Sequence, residues 1–258
     1  MLAAMTTTTP IALITGGSRG LGRSSALHLA RAGVDSVVTY RVERAEADAV
    51  VAEIEALGRR AVALQLDTGD HASFPAFAER LARALADTWQ RDTFDVLINN
   101  AGGSLHASIA ETTEEQFDGI FDVHVKGVFF LTQRLLPLLA DGGQIVNLSS
   151  GLARFTFAGS GAYAAAKGAV EVLTRYLALE LGERGITVNT IAPGAIATDF
   201  SGGMVRDDPQ LQAAISAQTA LGRVGQPDDV GAAVAALVTS GSRWITGERI
   251  EVSGGTRL

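Results

Sequence analysis

The sequence predicts an α/β protein: a doubly wound parallel sheet of about seven strands with helices on both faces. Three observations predict it. Short β-branched runs alternate with helical patterns along nearly all of the 258 residues. Those runs are bounded by glycine and continuously apolar, as strands buried on both faces must be. Each crossover is long enough for a right-handed strand–helix–strand unit, and no proline- or serine-rich linker divides the chain.

The elements follow in order. Met1 to Pro10 lacks the basic stretch and apolar run of a secretory signal, so 1–10 is expected to be a flexible extension and 11–258 a single domain. A strand is expected from Ile11 to Thr15, then a glycine cluster, then a helix from Leu21 to Ala32 that stops at Gly33. The alternation continues with a strand Ser36–Tyr40, a helix Glu43–Leu57, a strand Ala61–Leu66, a helix Ser73–Trp89 and a strand Phe94–Asn99. The second half predicts one long helix from Thr113 to Ala140, a strand Gln144–Ser149, a helix from about Ala162 to Gly182 and a strand Thr187–Ala192. A helix follows Pro227, and Arg249 to Val252 reads as the last strand. The stretch Gly194 to Gly225, with Gly202-Gly203 and Pro209, has no clear period, so a substrate lid is expected around 195–225.

Composition narrows the function. With 47% hydrophobic and 19% charged residues, the chain can build a core and is not disordered. A net charge of -7 argues against nucleic acid or anionic membrane as partners and favours small molecules. The absence of cysteine excludes disulfides, thiolate metal sites and cysteine nucleophiles. His28, His71, His106 and His124 form no H-E-x-x-H pattern, so no metal site is expected. The apolar run Gly127–Leu139 is broken by Gln133, Arg134 and Pro137 and falls short of the ~20 residues a membrane span needs. A cytoplasmic location is expected.

Two patterns carry chemistry. Thr15-Gly16-Gly17-Ser18-Arg19-Gly20-Leu21-Gly22 follows the first strand and opens the first helix. In that context Gly16 makes the tight turn, Gly20 lets a phosphate approach the backbone, Gly22 permits close helix packing, and the helix N-terminus supplies donors. An NAD site would place an acid about 20 residues further on. The chain instead reads Val37-Val38-Thr39-Tyr40-Arg41, and Arg41 with Arg19 can fork a 2'-phosphate. NADP(H) is therefore the preferred cofactor and NAD(H) the alternative. The second pattern is Tyr163-Ala164-Ala165-Ala166-Lys167, which puts a phenol and an ammonium on one helix face. A phenol titrates near ~10, and a nearby cation favours its ionised form, so this pair can exchange protons with a substrate.

Together these motifs resemble the short-chain dehydrogenase/reductase family, in particular its 3-oxoacyl-reductase-like members. The likeness extends through Asn99-Asn100-Ala101-Gly102, Ile145 to Ser150, Asn189 to Gly194, and Thr246-Gly247 followed by Gly254-Gly255. The resemblance implies a Rossmann fold and an oxidoreductase moving a hydride between NADP(H) and a ketone, aldehyde or secondary alcohol. It implies that Ser150, rather than Ser149, binds the substrate oxygen, that Tyr163 is the general acid/base, and that Lys167 binds the nicotinamide ribose and lowers the tyrosine pKa. Asp67 is implied to meet the adenine, Asn99, Ala101 and Gly102 to line the ribose, and Pro193, Gly194, Ile196 and Thr198 to hold the nicotinamide. Where the family carries a helix-borne asparagine, this chain has His124, within Asp122-Val123-His124-Val125-Lys126-Gly127. As an expectation, its neutral imidazole replaces the carboxamide in a proton relay and adds an ionisation near ~6.5. By position, Leu105, His106, Ser108, Phe155, Phe157, Phe200 and Met204 are pocket candidates that suit an apolar acyl, cyclic or aromatic carbonyl. A homotetramer or homodimer is implied by resemblance. The rival reading is a cofactor-binding sensor or scaffold that keeps the fold without turnover.

Overall fold

A computed structural model describes residues 9–241 and 243–258. Its centre is a seven-stranded, all-parallel sheet in the order β3-β2-β1-β4-β5-β6-β7. The strands are β1 Ile11–Ile14, β2 Asp35–Tyr40, β3 Ala61–Gln65, β4 Phe94–Asn99, β5 Leu139–Leu148, β6 Thr187–Pro193 and β7 Arg249–Val252. Between them lie α1 Gly20–Arg31, α2 Arg44–Ala56, α3 Phe74–Trp89, α4 Glu114–Phe121, α5 Gly127–Leu135, α6 Gly161–Leu181, α7 Met204–Asp207, α8 Pro209–Ser216 and α9 Pro227–Thr239.

Strand β1 shows why the runs are apolar at every position. Ala12 and Ile14 belong to the core shared with α1, α2 and α9, whereas Ile11 and Leu13 belong to the opposite core, with Phe74, Phe77, Leu81 and Leu85 of α3. All four β1 residues are fully buried, because helices cover both faces. Along α3 the buried residues recur every three or four positions and end at Trp89, giving that helix one apolar stripe.

The expected flexible extension is held at its inner end. Thr9 O accepts a hydrogen bond from Arg91 Nη1, and Pro10 O from the Asp35 backbone N–H. Residues 1–8 lie outside the described residues.

The expected long helix Thr113–Ala140 is corrected. Thr113 does cap α4, in a reciprocal capping box with Gln116. The helix then widens into a five-residue π segment over Asp122–Lys126, resumes as α5, and tightens into a 3₁₀ turn at Leu136–Leu138. Pro137 at the start of that turn has no N–H to continue the α ladder. Leu139, read as helical, already pairs with Phe94 as the first residue of β5. The stretch without a clear period also gains structure: after β6, a 3₁₀ turn at Phe200–Gly203 leads into α7 and α8. No helix among the described residues is long and apolar enough to cross a membrane.

Candidate active site

In an open parallel sheet a ligand crevice opens beyond the strand ends where the order reverses. Here the reversal lies between β1 and β4, and the glycine loop and Asn99–Gly102 follow those two strands. The two loops are laced together. Thr15 Oγ1 accepts from the backbone N–H groups of Asn100 and Ala101, both at 2.9 Å, while Asn100 Nδ2 donates to Thr15 O at 2.8 Å. Gly16 and Gly20 adopt left-handed φ values of +62 and +54°, and a β-carbon on Gly22 would lie 2.2 Å from Gly16 O. At the N-terminus of α1, Arg19 supplies no side-chain cap and the first turn holds no acid. The positive end of the helix therefore faces the crevice without a protein anion, and the loop fits a dinucleotide phosphate. Gly16, Ser18, Gly20, Leu21 and Gly22 would hold it through backbone.

Around this loop the expected contacts divide. Arg19 and Arg41 are exposed at the rim, free to reach a phosphate. Tyr40 is mostly buried: its ring packs in the α1–α2 core and its carbonyl accepts from the Leu66 N–H. Asn99 commits its Nδ2 to the core, donating to Asn147 Oδ1 at 2.8 Å and Thr132 Oγ1 at 3.2 Å. Asp67 is exposed beyond β3, where Oδ1 accepts from the Gly69 N–H.

The π segment brings His124 into the site. Its ring stands edge-on to Tyr163, 5.3 Å between centroids. Nε2 lies 2.8 Å from Gly103 O and 3.3 Å from the Gly103 backbone N; the shorter contact, to a carbonyl that can only accept, favours the hydrogen on Nε2, and Nδ1 is buried with no partner among the described residues. Burial, then the nearby Lys167 charge, push the imidazole pKa down to about 3, against the bond to Gly103. The expected ionisation near ~6.5 is thereby corrected: His124 is neutral across the working range.

Ser150 lies two residues beyond β5, whereas Tyr163 and Lys167 lie one turn apart on α6. Burial pushes the Tyr163 phenol up to about 12, against the smaller pull of the nearby Ser150 hydroxyl toward the phenolate. Lys167 Nζ lies 5.7 Å from the Tyr163 ring centroid and donates to Leu148 O at 2.6 Å. Burial pulls this amine down to about 7, so it carries only part of its charge at neutral pH. Burial of the phenol thus works against the lowering expected from Lys167. Ser149 is committed elsewhere: its hydroxyl donates to Glu171 Oε1 at 2.6 Å.

The segment after β6 runs past the glycine loop and Tyr163. A β-carbon on Gly194 would lie 2.9 Å from Ser253, so glycine is needed for that close approach. Ile196 bridges to Gly225, and Thr198 faces Gly20 across the crevice, 3.9 Å from where a β-carbon there would sit. Phe200 follows, its ring centroid 6.0 Å from that of Tyr163. His106 pairs with Phe157 at 6.3 Å and packs on Gly159, whereas Ser108 spends its hydroxyl on Glu111. A crevice of about 210 Å³ behind Gly194–Ile196 is lined by Arg223, Asp229 and Ser253 but by none of Ser150, Tyr163 or Lys167.

Sequence reasoning missed the supports. Asn147, quoted only as part of a motif, donates to Thr174 Oγ1, which pairs with Thr190 Oγ1, so a polar chain ties β4, β5 and β6 to α6. Polar residues inside apolar strand runs were the available signal. Glu171 and Arg249 had none, since their meeting depends on tertiary geometry.

Comparison with known proteins follows the same outline. A family model described as enoyl-(acyl carrier protein) reductase matches residues 16–257. The 3-oxoacyl-[acyl-carrier-protein] reductase FabG of Staphylococcus aureus is 37% identical over 96% of this chain and 98% of its own. The promiscuous reductase LugOII, which catalyses keto-reduction at C1 during lugdunomycin biosynthesis, superposes with a TM-score of 0.92 at 39% identity, over 97% of this chain and 99% of its own. The angucycline C-6 ketoreductase LanV with bound NADP also superposes at 0.92, with 36% identity over 97% of each chain. With a laced glycine loop, a Ser–Tyr–Lys cluster and this match along almost its full length, the chain belongs to the short-chain dehydrogenase/reductase family of oxidoreductases.

Proposed function

We propose that this protein reduces a ketone or aldehyde to the alcohol with NADPH, using Tyr163 as the general acid. The observation that carries this reading is the buried Tyr163 phenol, which burial keeps in its protonated form, set between Lys167 Nζ at 5.7 Å from its ring centroid and the His124 ring at 5.3 Å. A group in that state is a proton donor at neutral pH, which suits reduction. When bound, NADPH supplies the hydride. Tyr163 gives its proton to the carbonyl oxygen, and Ser150 Oγ donates to the same oxygen and steadies its developing charge. Lys167, whose amine burial pulls down to about 7, returns a proton toward the phenolate. His124 Nδ1, an acceptor beside this pair, holds the relay hydrogen on its way in. Arg19 and Arg41 at the rim support NADP over NAD, as does the NADP bound in LanV.

The aromatic edge formed by Phe200 beside Tyr163 and by His106 with Phe157 supports a cyclic or aromatic ketone as substrate, in keeping with the keto-reductions of LugOII and LanV. Assembly into a dimer or tetramer is supported by exposed apolar residues on two neighbouring helices, Phe129 and Phe130 of α5 and Val172, Tyr176 and Leu179 of α6. A matched screen of NADPH and NADH against cyclic aromatic ketones, quinones and 3-oxoacyl thioesters tests the reading. NADPH-linked turnover of the cyclic ketones is expected. NADPH binding without turnover on any compound supports the sensor instead.

A further inference from the structure

Three successive residues just beyond β5, Ser149 to Gly151, are gripped by one ionic group that no motif accounts for. Ser149 Oγ donates to Glu171 Oε1 at 2.6 Å, and Arg249 Nε donates to that same oxygen at 2.7 Å. Arg249 Nη2 donates to the backbone carbonyl of Ser150 at 3.2 Å, and Nη1 pairs with Glu251 Oε2. Glu251 in turn lies against the next residue: a β-carbon on Gly151 would be 3.6 Å from its Oε1. Arg154, in the turn after Ser150, completes the group with a contact to Glu251 at 3.8 Å.

The geometry points to Arg249 as a positioning residue for Ser150. This rests on the reading that Ser150 and Tyr163 act on one substrate oxygen. Those two residues belong to different elements, so their spacing depends on how the end of β5 sits against α6. Glu171 lies on α6 one turn beyond Lys167, and Arg249 lies on β7, two strands away from β5. The arginine reaches back over β6, with one arm on the helix that carries Tyr163 and another on the Ser150 carbonyl. A planar guanidinium holds both directions in one rigid fork, which an ammonium does not. Arg249 and Glu171 are partly buried, with side-chain exposures of 22% and 16%, while Arg154 stands 55% exposed at the edge of the group. Ion pairs in such settings are poor sources of net stability, and their use here is to fix geometry.

The test combines kinetics with ring NMR of isotope-labelled tyrosine, Tyr163 being assigned through Tyr163→Phe. Arg249→Met is expected to lower kcat about tenfold or more, with NADPH affinity and ketone KM nearly unchanged, because a small misplacement acts on the reacting geometry. Arg249→Lys, which keeps one donor, is expected to recover part of that loss. Placed on Ser150→Ala, Arg249→Met is expected to cost nothing further. The Tyr163 ring signal is expected to shift in Arg249→Met as it does in Ser150→Ala. An unmoved Tyr163 signal, or an equal kcat loss with and without the Ser150 hydroxyl, overturns the inference. Full turnover by Ser150→Ala removes instead the reading of Ser150, while the ring signal still reports whether Arg249 sets its position. Thermal unfolding and NADPH binding of each variant identify any that fail to fold, and Glu171→Gln then supplies the second perturbation of the same fork.

Discussion

Gly102 and His124 are packed so closely that a β-carbon on the glycine would lie 2.3 Å from His124 Cε1. The bare backbone after β4 is what lets the imidazole lie beside Tyr163 and donate to Gly103 O. Gly102→Ala is therefore expected to displace the ring, destabilise the protein by about 1–3 kcal/mol and lower kcat/KM. Urea unfolding and steady-state kinetics measure both. His124→Ala placed on Gly102→Ala is expected to restore stability but not activity.

His124 also predicts a pH dependence. Its pKa falls from about 6.5 in the unfolded chain to about 3 in the fold, so the unfolded chain binds the extra proton between those values. The stabilisation is fully present above about 6.5 and is lost as pH falls toward 3. Between pH 7 and pH 5 the loss due to this group is about 2 kcal/mol. Urea unfolding at the two pH values is expected to show that loss in the wild type and to show it reduced by about the same amount in His124→Asn.

The cofactor preference rests on Arg19 and Arg41, both exposed beside the glycine loop. Losing a charge-assisted bond to a phosphate costs about 1.5–3 kcal/mol. Arg41→Ala and Arg19→Ala are each expected to raise KM for NADPH roughly 10–100-fold and to leave KM for NADH almost unchanged. Kinetics with the two cofactors at saturating ketone provide the check, and an equal effect on both would remove the reading of these arginines.

The parts legible in the sequence were those with a local cause. Strand runs ending in glycine gave the sheet, and Gly16, Gly20 and Gly22 reported a backbone that other residues cannot adopt or approach. Tyr163 and Lys167 were legible because helical spacing alone puts them on one face. The break inside Thr113–Ala140 was not, since a π segment keeps helical periodicity in composition while shifting the face it presents. Tyr40 and Asn99 stood at the right positions, but whether a side chain turns to the crevice or the core is decided by packing partners such as Asn147 and Thr132. The protonation states were least legible. Burial works against the lowering expected for Tyr163 and holds His124 neutral, and burial is a property of the assembled fold.

The central claim is that the buried Tyr163 phenol delivers the proton in carbonyl reduction. Tyr163→Phe removes only that hydroxyl and leaves the ring to pack against His124 and Phe200. The deciding measurement is kcat/KM for NADPH-dependent ketone reduction by wild type and Tyr163→Phe, with NADPH binding measured on both. The expected result is a fall of roughly 10²–10⁴-fold in kcat/KM with NADPH affinity retained. Turnover by Tyr163→Phe within a few-fold of wild type would contradict the account.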